Sequence, residues 1–277
     1  MIYELKANEF TRAQPLFAGL ENRVAIQAII EGNSPGRIFV DDATRPTAAF
    51  MWNEFRYSYL AGNPNNDAFT ASLSRLLSGI LFPEARDSHD PTVVLYPHPE
   101  TWREKVDALI GGETLINLAR RTFSFNPARF QYRGWRERVP SGFRVQRIDE
   151  SLLEKGGQEI IADIRTLWRS ADDFLSAGAG FCLLSGNQVV STCLSGFFGG
   201  GKYEIGVSTS SEHRRQGFAT LTASAFIAHC LQQDLEPVWE CWADNSSSIG
   251  LAEKLGFEMR VDYPVYFVDL TKRHPRQ

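Results

Sequence analysis

Residues 217–233, GFATLTASAFIAHCLQQ, form a helix-length run that is strongly apolar. A helix of that kind cannot leave much of its surface in water, so it must pack against a sheet or inside a bundle. The flanking runs select the sheet. KYEIGVST before it and EPVWECWAD after it carry the β-branched and aromatic residues of strands. Strand, helix and strand in that order predict an α/β chain.

The alternation extends over the whole sequence. In the first half, RVAIQAIIEG reads as a helix stopped by Gly32. GRIFVDD and AAFMWNEFRYSYLAG read as two or three strands, and GNPNNDAFTASLSRLLSGILF as a turn and an amphipathic helix. PTVVLYPH reads as a short buried strand and ETWREKVDALIGG as another helix. In the second half, FRVQRID reads as a strand, and EIIADIRTLWRSADDFLSAG as a helix running into a second capped turn. GFCLLSGNQVVSTCLSGFF reads as a hairpin turning at SGN, NSSSIGLAEKLGF as a capped helix ended by Gly256, and YPVYFVDL as a last strand. Residues 123–142, FSFNPARFQYRGWRERVPSG, are aromatic, arginine-rich and broken by Pro127 and Pro140, which places a linker there. The expected domains are 1–122 and 143–270, with the linker region at 123–142 and a loose tail at 271–277. The shared rhythm fits a degenerate duplication of one α/β unit. Simple alternation would give the same rhythm, and both readings stay open.

Charge and composition remove several function classes. The formal net charge of −4 over 277 residues gives no bulk electrostatic case for nucleic acid, and the arginines of 123–142 read as stacked on strand faces. No run approaches the ~18 apolar residues of a membrane span, and MIYELKANEF lacks the apolar stretch of a signal peptide. A soluble, cytoplasmic protein is expected. Cys182, Cys193, Cys230 and Cys241 have no CxxC spacing and lie in apolar runs, so they read as buried, reduced thiols. His89, His98 and His274 have no ligand spacing, His213 reads as a loop residue and His229 as structural. No metal is expected.

The loop STSSEHRRQGFATL joins the strand to the long helix. A helix start leaves backbone N–H groups without partners and carries partial positive charge, so phosphate suits it. Arg214 and Arg215 add charge, and Gly217 and Ala219 allow close backbone approach. A plain surface turn has the same composition. The phosphate fingerprints GxGxxG and GxxxxGK[ST] are both absent from this loop.

The loop gains weight from NSSSIGLAEKLGF, which follows after one helix, loop and strand. Together they resemble the GNAT superfamily of acetyl-CoA-dependent N-acetyltransferases. Arg214, Gly217 and Ala219 fill its [Q/R]xxGx[G/A] loop, and Asn245, Ser248, Leu251, Lys254, Gly256 and Phe257 fill its later motif. DDFLSAGAGFCLLSGNQVVSTCLS, EIGVSTSSEHRRQGFA, WECWADNSSSIGLAEKLGF, GRIFVDDATRPTAAFMWN and YLAGNPNNDAF resemble a two-domain bacterial branch that includes zwittermicin-resistance acetyltransferases.

The resemblance implies two GNAT-like domains, each a mixed, mostly antiparallel sheet flanked by helices. An acetyl-CoA cleft would lie between splayed strands of the second. It implies that Val207, Ser208 and Thr209 bond the pantetheine arm. Arg214, Arg215, Gln216, Gly217, Phe218, Ala219 and Thr220 would hold the pyrophosphate, and Asn245 would face the thiol end. The implied reaction moves an acetyl group from acetyl-CoA directly to an amine of a small molecule, with an oxyanion donor near Val207. The alternative is a non-catalytic acyl-CoA-binding sensor or interaction module. Its motive is Ala252, which stands where many GNATs place a catalytic tyrosine. Tyr263 and Tyr266 are the candidate replacement acids, with Tyr266 the one carried forward. Glu204 and Glu240 are the candidate bases; each has the equally simple reading of a solvated or arginine-paired carboxylate. The first half has AGNPNNDAF where the second has the basic loop, and is expected to lack cofactor binding.

Overall fold

A computed structural model describes every residue except 55, 89, 155–156 and 272–277. His89, His274 and all of the expected tail but Thr271 lie outside the described residues. The chain divides into two compact units, residues 1–120 with 263–277, and residues 121–262.

The first unit contains β1 (Tyr3–Glu4), α1 (Val24–Ile30), β2 (Gly36–Val40), β3 (Ala48–Asn53), β4 (Tyr57–Gly62), α2 (Asp67–Leu76), α3 (Phe82–Arg86), β5 (Thr92–Pro97), α4 (Val106–Ile110) and most of β6 (Thr114–Phe125). β1 to β4 pair antiparallel in sequence order as far as β2–β3–β4, with β1 on β2. β3 is buried along its whole length, as a strand covered on both faces must be. The chain then crosses over through α2, and β5 pairs parallel to β4. Phe50, Trp52, Phe69, Phe82 and Trp102 build the core of this unit.

The second unit repeats that order with longer elements. It contains β7 (Phe143–Arg147), α5 (Glu150–Glu154), α6 (Gln158–Arg165), α7 (Ala171–Ala177), β8 (Gly180–Ser185), β9 (Gln188–Gly199), β10 (Lys202–Thr209), α8 (Phe218–Gln232), β11 (Glu236–Trp242), α9 (Ser246–Lys254) and the start of β12 (Phe257–Asp269). β7, β8, β9 and β10 pair antiparallel in that order, and β11 is parallel to β10 after the α8 crossover. Both units are therefore mixed, mostly antiparallel sheets with flanking helices.

The division differs from the expected 1–122, 123–142, 143–270 and 271–277. Residues 123–142 belong to the second unit, where Phe123 and Phe130 are buried in the core. Residues 263–269 belong to the first, where Tyr266–Asp269 pair antiparallel with Thr92–Leu95. β6 and β12 are each long enough to pass from one unit into the other. Composition marks turns and breakers, and an uninterrupted strand carries no such mark.

The sheet of the second unit has two covered faces. Cys193, Tyr203, Ile205, Trp239 and Cys241 pack with Ala223, Phe226 and Ile227 of α8 on one. Cys182, Leu184 and Leu194 pack with Ile160, Ile164 and Phe174 of α6 and α7 on the other. The apolar helix of the sequence is thus covered as expected: its buried residues include Phe218, Ala223, Phe226, Ile227 and Cys230. All four cysteines are buried and unbridged.

Candidate functional site

Three departures from regular structure lie along β10 and at the helix start that follows it. The first is in the parallel ladder. β10 and β11 pair only over Lys202–Glu204 against Glu236–Val238, although β10 continues to Thr209 and β11 to Trp242. On its other edge β10 stays paired with β9 as far as Thr209 opposite Ser191. From Ile205 onward, the edge of β10 that faces β11 therefore lies outside the ladder. Backbone N–H and C=O groups on such an edge are strong hydrogen-bonding groups for an extended ligand.

The second departure is a β-bulge. The β9–β10 register shifts between Tyr203 and Ile205, so that Gly196 and Phe197 together oppose Glu204. Nearby, the buried Trp168 donates its indole N–H to the Ser195 carbonyl at 2.8 Å. That bond fixes the bulge and brings Trp168 to the α6 face of the sheet.

The third departure is the start of α8. Its N-cap is Gly217 at φ 84°, with no side chain to cap the helix. The first intrahelical bonds run from Thr220 N and Leu221 N back to the Gly217 carbonyl, which leaves the N–H groups of Phe218 and Ala219 at the open end. Arg215 is also left-handed, at φ 65°. Left-handed residues within a short loop turn successive N–H groups toward one concave side, a geometry that binds anions. Arg214 and Arg215 are exposed, and Arg214 Nε donates to the Thr209 carbonyl at 3.3 Å. His213 is a loop residue whose Nδ1 lies 2.9 Å from Ser210 Oγ. A buried hydroxyl network anchors the loop from below. Ser191 Oγ donates to Ser208 O at 2.8 Å and lies 2.9 Å from Thr209 Oγ1 and 3.3 Å from Thr222 Oγ1 of α8.

The corresponding positions of the first unit are built differently. The β4–β5 ladder runs from Tyr57 opposite Val94 to Leu60 opposite Pro97, and His98 N then donates to Leu60 O at 2.8 Å. Beyond that, Trp102 Nε1 donates to Gly62 O at 3.0 Å, so the strand edge is taken by the unit's own side chain. The start of α2 is capped by Asn66, whose Oδ1 accepts from Phe69 N at 3.0 Å, and Asp67 stands in the first turn. An acidic, self-capped helix start is a poor place for phosphate.

Of the residues expected from the sequence, the second unit brings together Val207, Ser208 and Thr209 on the open edge of β10, with Arg214 through Thr220 at the α8 start. Asn245 is exposed at the start of α9, where its Oδ1 accepts from Ser248 N at 3.1 Å. Glu204 and Glu240 lie on the α6 face: Tyr203 and Ile205 beside Glu204, and Trp239 and Cys241 beside Glu240, all point into the α8 core. Glu240 is buried. Tyr266 belongs to the first unit. It is buried in the core of the first unit, where its hydroxyl accepts from Arg103 Nε at 3.4 Å. Tyr263 likewise belongs to that unit; its hydroxyl donates to Pro97 O at 2.5 Å, and burial pushes its pKa up to about 12. Ala252 is fully buried in the α8–α9 core.

One residue of the site escaped the sequence reading. A cavity of about 190 Å³ opens on the α6 face, lined by the β10 residues 206–208 and by Asp163, Leu167, Trp168, Thr192 and Leu194. Asp163 Oδ2 accepts from Thr192 Oγ1 at 3.2 Å. Burial raises the Asp163 pKa, Thr192 opposes that, and the negative charge of Glu159 adds to it. The available signal was slight: an acid next to Ile164 on an amphipathic helix. Among the described residues, no group of three or more His, Cys, Asp or Glu side chains is placed to hold a metal ion, and no helix is long and apolar enough to cross a membrane.

Comparison with known proteins agrees with this architecture. The family model described as GNAT acetyltransferase matches residues 14–266. An uncharacterized N-acetyltransferase of Bacillus subtilis (strain 168), YdfB, is 29% identical over 267 residues, covering 96% of this chain and 98% of that one. The crystal structure of a GCN5-related N-acetyltransferase-like protein from Streptococcus suis 89/1591 is 25% identical with a TM-score of 0.71, covering 94% of this chain and 98% of that one. A tandem GNAT protein from the clavulanic acid biosynthesis pathway, 12% identical, shares the fold over 99% of both chains with a TM-score of 0.61.

Proposed function

The chain belongs to the GNAT acetyltransferase family, and from that premise we propose that it moves an acetyl group from acetyl-CoA directly to the amine of a small molecule. The observation that carries this reading is the short β10–β11 ladder beside an α8 start without a side-chain cap. An extended arm with a phosphate behind it fits that pair of features, and the paired, self-capped counterpart in the first unit does not. One acetyl-CoA per chain, in the second unit, follows.

In this reading the backbone of Val207, Ser208 and Thr209 bonds the pantetheine arm. The loop of Arg214, Arg215, Gln216, Gly217, Phe218 and Ala219, with Thr220 beginning the helix, holds the pyrophosphate through its open N–H groups, with the two guanidinium groups adding charge. Asn245 serves the thiol end with the amide group that its cap bond leaves over. Acetyl-CoA supplies an activated acetyl thioester. The chain supplies a backbone donor near Val207 for charge developing on the carbonyl oxygen, and carboxylates on the α6 face for the proton of the incoming ammonium. Ala252 stands at the usual place of the tyrosine acid, with Tyr266 the candidate replacement, so the thiolate departs without an acid from that position. A thiolate is stable enough for that, since free thiols ionise near pKa ~8.5. The stretches quoted above support a place in the two-domain branch that includes zwittermicin-resistance acetyltransferases, and four unbridged thiols suit a cytoplasmic protein.

A thiol-release assay over a panel of amines tests the proposal. Acetyl-CoA is expected to raise the melting temperature, and at least one small amine to release CoA. Ala252 motivates a second reading, a non-catalytic acyl-CoA sensor. Cofactor binding with no turnover on any amine would select it.

A further inference from the structure

Asp163 has the surroundings of a carboxylate that lacks its partner. It lines the cavity on the α6 face, and Thr192 Oγ1 holds one of its oxygens. Among the described residues it makes no ion pair; the charge that acts on it is that of Glu159, which has the same sign. An anionic group partly out of water gains most from a cation that can enter the same space. Ile164, Leu167, Trp168 and Leu194 give the wall most of its apolar surface, Thr166 and Ser195 also line it, and the volume of about 190 Å³ is small beside the ~300–1,000 Å³ of drug-sized sites. The β10 residues 206–208 close the cavity on the side of the candidate acetyl-CoA arm.

We propose that Asp163 binds the ammonium group of the acceptor and takes its proton, and that the acceptor is a primary monoamine with a compact apolar body. This rests on the acetyl-transfer reading and assigns its substrate class. Asp163 removes one proton from R–NH₃⁺ and becomes the neutral acid. The freed nitrogen pair forms the C–N bond to the acetyl carbonyl carbon. The C–S bond breaks with its electron pair on sulfur, and the second proton shed by nitrogen goes to that sulfur. Asp163 then returns its proton to water. Burial and the Glu159 charge both favour the protonated form that Asp163 must adopt midway.

The test compares wild type, Asp163→Asn and Asp163→Glu with benzylamine and butylamine against spermidine and kanamycin. Asn keeps an oxygen for Thr192 and loses the charge. Expected are turnover of the two monoamines over the polycations, a fall of about 10²- to 10⁴-fold in kcat/KM for Asp163→Asn, and partial recovery in Asp163→Glu. The acetyl-CoA-induced rise in melting temperature should be unchanged in both variants, which also reports folding. Activity of Asp163→Asn near the wild-type level, or preference for the polycations, overturns the assignment. If wild type binds acetyl-CoA but acetylates none of the panel, acetyl transfer fails, and binding decides the site. A benzylamine-induced melting shift present in wild type and absent in Asp163→Asn then supports the ammonium site; an equal shift, or none in either, overturns it.

Discussion

Gly217→Ala separates the cost of backbone strain from the loss of a ligand site. Gly217 has φ +84°, and a Cβ built on it would meet nothing within 4 Å. The penalty is therefore conformational only, about 1–2 kcal/mol for an L-residue held left-handed. Phe218 is buried and anchors the helix start, whereas residues 214–217 are exposed. Relaxation falls on the loop, and acetyl-CoA must then restore the loop against that same 1–2 kcal/mol. The expected result is about a 5- to 30-fold weaker Kd. Gly186, in the turn between β8 and β9, provides the matched control: φ is +57°, and its Cβ would also meet nothing within 4 Å. Gly186→Ala carries the same kind of strain away from the loop and should leave the Kd unchanged. Titration calorimetry with acetyl-CoA reads both. A Gly217→Ala affinity within about twofold of wild type, or an equal loss in Gly186→Ala, would refute the assignment of the α8 start.

Three further outcomes follow from the same structure. Trp102→Ala, at a fully buried site, should cost about 3–5 kcal/mol in urea unfolding; a cost under about 1 kcal/mol would contradict its packed role. Iodoacetamide should leave the native thiols unmodified and label all four after unfolding, because burial lifts Cys182 and Cys230 to about 12 and Cys193 well above its usual value; rapid native labelling would contradict their burial. Asp163→Asn should melt higher than wild type at neutral pH. A carboxylate whose folded pKa is raised stabilises the fold below its unfolded pKa and loses that contribution as pH rises through the folded value. The gain of the variant should therefore shrink as pH falls toward about 4, and a gain independent of pH would count against the raised pKa.

The second unit's central architecture was legible because its signals are local. KYEIGVST, the RRQG loop and the apolar run to Gln233 are consecutive in the chain, and burial of α8 follows from its composition. The shared face of Glu204 and Glu240 follows from the strands on which the sequence already places them. Asp163 was not legible, because what makes it a site is tertiary: its hydroxyl partner Thr192 is 29 residues away, on another element. The unit to which Tyr266 belongs was hidden for a related reason. The residue follows the last motif closely in sequence, but β12 carries it into the first unit, opposite Leu95. The same strand moved the domain boundary. The first unit differs in sequence only by its missing basic loop; that Trp102 fills the strand edge there depends on a bond spanning 40 residues.

A crystal structure of the chain with saturating acetyl-CoA tests the account at its centre. The prediction is one cofactor per chain, with its pantetheine arm on the β10 edge beyond Glu204 and its pyrophosphate at the N–H groups leading into α8. A cofactor bound in the first unit, or one that leaves the N–H groups of Phe218 and Ala219 uncontacted, would contradict it.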